Sequence, residues 1–214
     1  MGKLIISVDG PSGSGKERIA KYISYKYNLY HLDSGVLYRR LALLILRKKI
    51  DIGTTKNLNL FLKSIPIISH KKHPVLRKEK ISKYTSKLAT IPSVRQYINN
   101  LQKKIVYKIL KTRRGCVVDG RDIGSNVFKN AKIKLFIEVK SEIRAKRRHK
   151  QLIESGEKSI YSRILKDINL RDKTDKKRSI SPLVIPKGAI IINNSCSFKN
   201  TINQINNAMR ILKY

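Results

Sequence analysis

The residues best suited to chemistry stand near the start of the chain. Gly10-Pro11-Ser12-Gly13-Ser14-Gly15-Lys16 follows an apolar run and Asp9, and Glu17-Arg18-Ile19-Ala20 comes next. Gly10, Gly13 and Gly15 can take backbone angles that a side chain forbids, so their N–H groups can converge on an anion. A helix opening at Lys16 adds the positive end of its dipole. Lys16 then stands where an ammonium reaches the outer phosphates of a nucleotide. This is G-x-x-x-x-G-K, the phosphate-binding loop, in its strand–loop–helix setting. Glu17 takes the place of the usual Ser or Thr. Elsewhere the chemistry is that of arginine, whose fork matches phosphate. Asp119-Gly120-Arg121-Asp122 follows an apolar run. Arg144, Lys146, Arg147, Arg148 and Lys150 crowd one stretch, and Arg171, Asp172, Asp175 and Arg178 another. An arginine-dense helix near a phosphate loop reads as a mobile phosphate clamp as readily as a solvated face. No convincing nucleophile–base pair is present.

The elements that must position these groups follow from periodicity. A helix is expected over 16–27, with Ile19, Ala20 and Ile23 on its apolar face, and a short strand over 29–32. Ser34 is the expected N-cap of a helix from Val36, with Leu37, Leu41, Leu44 and Ile45 inward. Residues 50–91 are less regular. A short helix around Leu58 and Phe61, a strand over 65–68 and an exposed basic turn over 69–74 are expected there. His70 and His73 lack partners at metal-ligand spacing. A clear amphipathic helix covers 94–110, and strands are expected at 116–118, 133–139 and 189–192. Ser141 is expected to cap the basic helix, which Gly156 breaks. Further helices are expected over 159–170 and 202–212. Strands alternating with helices give an α/β fold, a parallel sheet wrapped on both faces with ligands at the C-terminal strand ends.

Composition sets bounds. The 214 residues suit one α/β domain with insertions, and 41% hydrophobic with 29% charged residues is globular rather than disordered. The net charge of +34 is spread over the whole chain among many Ile, Asn and Tyr residues, which disfavours a dedicated nucleic-acid surface. Cys116 and Cys196 are far apart and suggest neither disulfide nor metal. The apolar runs are too short for a signal peptide or a membrane span, so a cytoplasmic location is expected and no membrane partner.

Five motifs occur in order: G-P-S-G-S-G-K, L-D-S-G-V-L-Y-R, D-G-R-D-I-G-x-x-V-F, R-A-K-R-R and R-D-x-x-D-x-x-R-x-x-x-P-L. Together they resemble bacterial cytidylate kinase, of the nucleoside monophosphate kinases, over nearly the whole chain. The resemblance implies a P-loop NTPase fold with a five-stranded parallel sheet. Its core would be 1–49 and 92–214, its arginine-rich lid about 141–158, and its monophosphate-binding insertion 50–91. It implies ATP-dependent phosphorylation of CMP or dCMP with Mg²⁺, by a monomer. By motif, Gly10, Pro11, Ser12, Gly13, Ser14, Gly15, Lys16, Glu17 and Arg18 would bind ATP. Lys16, Arg121, Arg147, Arg148 and Arg178 would act on the migrating phosphoryl. Arg39, Arg121 and Arg178 would hold the CMP phosphate, and Arg171 and Asp175 the ribose. Ser34 and Tyr38 lie in the same acceptor motif, and Ser86, Arg95 and Asp122 would read cytosine. Arg144 joins Arg147 and Arg148 in the implied lid. No residue is implied as a direct metal ligand; Asp119 would orient magnesium through water.

The chain departs from the family at three points. Glu17-Arg18 replaces Gly-Thr, Lys103 replaces an arginine after Gln102, and the insertion is shorter, as if it had lost a hairpin. On this reading the Arg18 guanidinium lies near the ATP α-phosphate and offsets Glu17. Two other readings stand beside the main one: a kinase of the same fold acting on UMP or AMP, and a basic phosphate-loop-derived RNA-binding protein.

Overall fold

The apolar runs become strands and the amphipathic stretches helices. The computed structural model describes residues 3–66 and 68–212. Its five-stranded sheet contains β1 (Leu4–Asp9), β2 (Tyr30–Asp33), β3 (Gly115–Gly120), β4 (Ile133–Glu138) and β5 (Ile190–Asn193), in the order β2-β3-β1-β4-β5. Strand β1 lies between β3 and β4, parallel to both, with Leu4 opposite Gly115 and Ile6 opposite Ile133; β5 runs parallel to β4. All six β3 residues are buried, as a parallel sheet covered on both faces requires. Asp9 and Asp119 mark the C-terminal strand ends, where ligands bind in such sheets.

Two compact units divide the chain. The first comprises residues up to His31 and from Arg114 onward. It carries β1, β3, β4, β5 and the first half of β2, with α1 (Lys16–Lys26), α6 (Ser141–Glu154), α7 (Tyr161–Lys177) and α8 (Phe198–Met209). Ile6, Val8, Val117 and Leu135 of the sheet pack with Ile19 and Ile23 of α1 and Ile205 and Met209 of α8. The second unit, Leu32–Arg113, contains α2 (Ser34–Arg47), α3 (Thr55–Ser64), α4 (Glu79–Leu88) and α5 (Pro92–Ile109). Helix α2 packs on α4 and α5, and α3 on α5. The expected 50–91 insertion falls wholly inside this unit.

Several local expectations are corrected. Asp33, not Ser34, caps α2: its carboxylate accepts from the Val36 N–H at 3.2 Å. Ser141 begins α6 instead of capping it, Lys140 being the cap residue. Helix α7 runs on to Lys177, and α8 begins at Phe198 behind a Ser197 cap. Ile65, Pro66 and Ile68 are not in a strand, and Ile67 lies outside the described residues. Helix α4 was not expected; it buries Ile81, Thr85 and Leu88 at helical spacing in a mostly polar segment.

Candidate active site

Strand β1 delivers the chain to the phosphate loop and α1 leaves it. The loop needs its glycines: Gly10, Gly13 and Gly15 have φ of 155°, 73° and 82°. The Lys16 ammonium donates to the Pro11 carbonyl at 3.0 Å. Asn194, just past β5, braces the loop from behind. Its amide donates to the Ser14 carbonyl at 2.8 Å and its own carbonyl accepts from Thr201. A Cβ at Gly15 would stand 2.4 Å from that amide nitrogen.

The loop's two unusual residues point elsewhere. Glu17 pairs with Lys21 at 3.1 Å, one turn along α1. The Arg18 guanidinium lies 3.7 Å from the centroid of the Phe198 ring. In this arrangement Lys21 offsets Glu17, and a role for Arg18 at the α-phosphate requires it to leave the ring. Arg18→Ala is therefore expected to leave MgATP affinity within about twofold by calorimetry. It should cost about 0.5–1 kcal/mol of stability through the lost cation–π contact.

In the first unit, Arg121 and Arg178 converge on one carboxylate. Arg121 Nε donates to Asp175 Oδ2 at 3.0 Å and Arg178 Nη1 to Oδ1 at 3.2 Å. Asp175 is the buried residue of α7, whose other positions are half-buried or exposed. Burial pushes its pKa up, but Arg121, Arg178 and Arg171 together outweigh burial and hold it below the usual carboxylate value. Arg171 lies one helical turn before it. Asp122, buried, accepts from Asn126, which also reaches Ser181. The structure thus assembles Arg121, Asp175 and Arg178.

Asp9 anchors the segment that carries Arg121 and Asp122. It is fully buried, and its two oxygens accept from the N–H groups of Ile123 and Gly124 at 2.8 and 2.7 Å, in a single π-type turn (Ile123–Val127). Burial pushes its pKa up to about 7 against the pull of those bonds and of Lys16. A folded-state pKa above the unfolded one means stability fully present below the ordinary value of 3.8 and lost as pH rises to about 7. Asp175 has the opposite sign, its contribution being lost as pH falls through the lowered pKa. Asp9→Asn is thus expected to flatten the decline between about pH 4 and 7. Urea unfolding of parent and variant across that range checks it; a parent–variant difference independent of pH would contradict it.

In the second unit, Arg39 is held by Asp33 at 3.2 Å, with Lys72 at 3.8 Å from the same carboxylate. Gly35 leaves room for the pair: a Cβ there would stand 3.1 Å from both Arg39 Nη2 and Asp33 Oδ1, a tight contact that a small shift of these side chains would relieve. Ser34 and Tyr38 are buried on α2. Arg95 is 2% exposed in the first turn of α5; it donates to the Ala89 carbonyl at 3.1 Å and lies 5.8 Å from the Tyr38 ring centroid. Ser86 sits on α4 and donates to the Ser82 carbonyl. Lys103 is on the exposed side of α5, whereas Gln102 is buried.

Helix α6 separates its arginines. Arg148 is exposed, and Arg147 donates to the Ser195 and Cys196 carbonyls at 3.5 and 3.4 Å. Arg144 is placed differently: it is 4% exposed and donates to the Val139 and Ser12 carbonyls and to Asp172. Asp33, Asp172, Asn194 and His31 were missed by sequence reasoning. Each adjoins a residue or motif that was recognised; Asp172, Asn194 and His31 have partners far along the chain, whereas Asp33 pairs with Arg39 six residues on. His31 Nε2 is 2.6 Å from Asp119 Oδ1, at the end of β3. Among the described residues no group of three or more His, Cys, Asp or Glu side chains is placed to hold a metal ion. One carboxylate with an oxygen already bonded is no cage for a bare cation; it fits an outer-sphere contact through water.

A family model described as cytidylate kinase matches residues 6–211. The cytidylate kinase of Fusobacterium nucleatum is 34% identical over 100% of both chains. That of Rickettsia akari is 36% identical over 96% of this chain and 91% of its own. A solved structure, TT1252 from Thermus thermophilus, shares the fold at a TM-score of 0.53 and 13% identity, covering 100% of both chains. Such coverage, over a chain that keeps the phosphate loop and the paired arginines, places this protein in the cytidylate kinase family.

Proposed function

We propose that the protein transfers the γ-phosphoryl of ATP to CMP or dCMP, giving ADP and CDP or dCDP. The observation that carries this reading is the Arg121–Asp175–Arg178 cluster, in the same unit as the phosphate loop. One carboxylate holds two cationic forks in fixed orientation, as an acceptor phosphate requires. The loop amides and Lys16 cradle the ATP phosphates. Arg39, Arg121 and Arg178 bind the CMP phosphate, and Arg171 and Asp175 its ribose. Ser86, Arg95 and Asp122 read the base, where a carboxylate accepts from the exocyclic amine and an arginine donates to ring acceptors. Arg147 and Arg148 supply charge to the migrating group.

Phosphoryl transfer between two phosphates needs alignment and charge neutralisation more than a base. The acceptor phosphate is already largely dianionic, which agrees with a site built from arginines. Magnesium would enter with the ATP substrate and supply charge neutralisation on its phosphates, and Asp119, held by His31, would contact it through water. No helix of the described residues is long and apolar enough to cross a membrane. A monomer working in the cytoplasm completes the reading.

The test is a coupled kinase assay of purified protein with CMP, dCMP, UMP and AMP. CMP and dCMP are expected to turn over well above UMP and AMP. A folded protein with no activity on CMP or dCMP would refute the proposal.

A further inference from the structure

Arg144 has a side chain spread across three segments. Its Nε donates to the Val139 carbonyl at 3.0 Å, where β4 gives way to α6. Nη1 donates to the Ser12 carbonyl of the phosphate loop at 2.9 Å and to Asp172 Oδ1 at 3.1 Å, and Nη2 donates to Asp172 Oδ2 at 2.5 Å. The aliphatic stem runs beside the loop, where a Cβ at Gly13 would meet its carbons at 3.7–3.9 Å. Arg144 is 4% exposed, and the Asp172 side chain 16%. A solvated lid arginine samples many rotamers; this one is fixed by a bidentate ion pair and two carbonyls, in a setting that screens little.

Asp172 lies on α7, one turn before Asp175, which holds Arg121 and Arg178. Ser12 lies in the turn that cradles phosphate. One guanidinium therefore ties the phosphate loop to the helix whose Asp175 holds the paired arginines. We infer that Arg144 is a positioning residue that couples the two substrate sites. When MgATP orders the loop, the Ser12 carbonyl and Arg144 hold α7, and with it Arg121 and Arg178, in the arrangement that accepts CMP. The inference rests on the substrate assignments proposed above. It also gives Asp172 a part in the reaction without touching either nucleotide.

The experiment measures CMP affinity by calorimetry with and without saturating magnesium β,γ-methylene-ATP. Parent, Arg144→Lys, Asp172→Asn and Asp172→Glu are compared after circular dichroism confirms folding. In the parent, the analogue is expected to raise CMP affinity about fivefold or more. In Arg144→Lys, which keeps the charge but loses the fork, and in Asp172→Asn, that ratio should fall to within about twofold of one, with Asp172→Glu restoring part of it. A purely stabilising residue would move the melting temperature and leave the ratio alone. A parent ratio of one, or variants that keep the parent ratio, overturns the coupling. If the parent binds the analogue but never CMP, the substrate reading fails. The clamp is then judged on the analogue alone, which Asp172→Asn should weaken about fivefold. Unchanged analogue binding overturns it. If Asp172→Asn does not fold, Arg144→Lys carries both measurements.

Discussion

Replacing Arg178 by alanine is expected to lower kcat/KM for CMP by about 10²–10³-fold, the usual cost of deleting one preorganised donor to developing charge. MgATP affinity should stay within about twofold. Arg178 is the residue at which α7 ends, its backbone already extended. Two acceptors aim its guanidinium: Asp175 at 3.2 Å and the Ser181 carbonyl at 2.5 Å. Its side chain is 5% exposed, so water neither screens its charge nor replaces it once it is gone. Alanine also leaves Asp175 with Arg121 as the partner for both its oxygens, which partly cancels the remaining cation. Steady-state kinetics with CMP and calorimetry with a magnesium–ATP analogue separate the two effects. A loss of analogue affinity matching the loss of turnover would move Arg178 from the acceptor to the donor.

Gly10→Ala is expected to disable the phosphate loop. The added Cβ would stand 2.7 Å from the Ile137 carbonyl oxygen and 3.1 Å from Ser14 Oγ, at a φ of 155°. The first obstacle is backbone of β4, which is paired to β1 at Val8–Leu135 and Asp9–Phe136, so it cannot withdraw without opening the sheet. The loop must shift instead. Strain of about 1–3 kcal/mol is expected, lowering the melting temperature by about 2–4 °C per kcal/mol in a chain of this size. Analogue binding should become undetectable at concentrations that saturate the parent. Gly156→Ala is the control: its φ is 77°, but nothing lies within 4 Å of its added Cβ. If both variants bind the analogue equally well, the contact with β4 is not what demands glycine at Gly10.

The phosphate loop was legible because its requirements are local: glycine at three backbone positions, a strand before and a helix after. The long helices α2 and α5 were legible from their apolar spacing. Helix α4 was missed, although Ile81, Thr85 and Leu88 recur at helical intervals, because residues 50–91 as a whole read as irregular. The end of α7 was placed at Leu170, seven residues early, because polar residues follow; yet the helix continues and brings Asp172 and Asp175 onto it. Arg144 shows the limit most plainly. Its neighbours Arg147 and Arg148 have the same residue type and the same helix, and differ from it in what the fold sets opposite them. Sequence displayed the arginines of the site, and Asp175 as a ribose contact, but not that carboxylates aim the arginines, because the Arg121–Asp175 and Arg144–Asp172 pairs close between distant segments. Arg178 with Asp175, three residues apart, and Arg39 with Asp33, six apart, are the near exceptions.

The division of the chain into two units has a consequence for its manufacture. Strand β1 leaves the ribosome before its neighbours β3 and β4, which follow only after the whole of Leu32–Arg113. At roughly 5–20 residues per second, that interval lasts several seconds. The later unit, continuous in sequence and helical, has its partners at hand as it emerges, and contacts of that kind form fast. For those seconds the nascent chain carries an apolar strand with both edges open beside a domain able to close by itself. Leu4, Ile6 and Val8 stay uncovered over that interval, and the phosphate loop gains its brace from Asn194 only after β5 has followed.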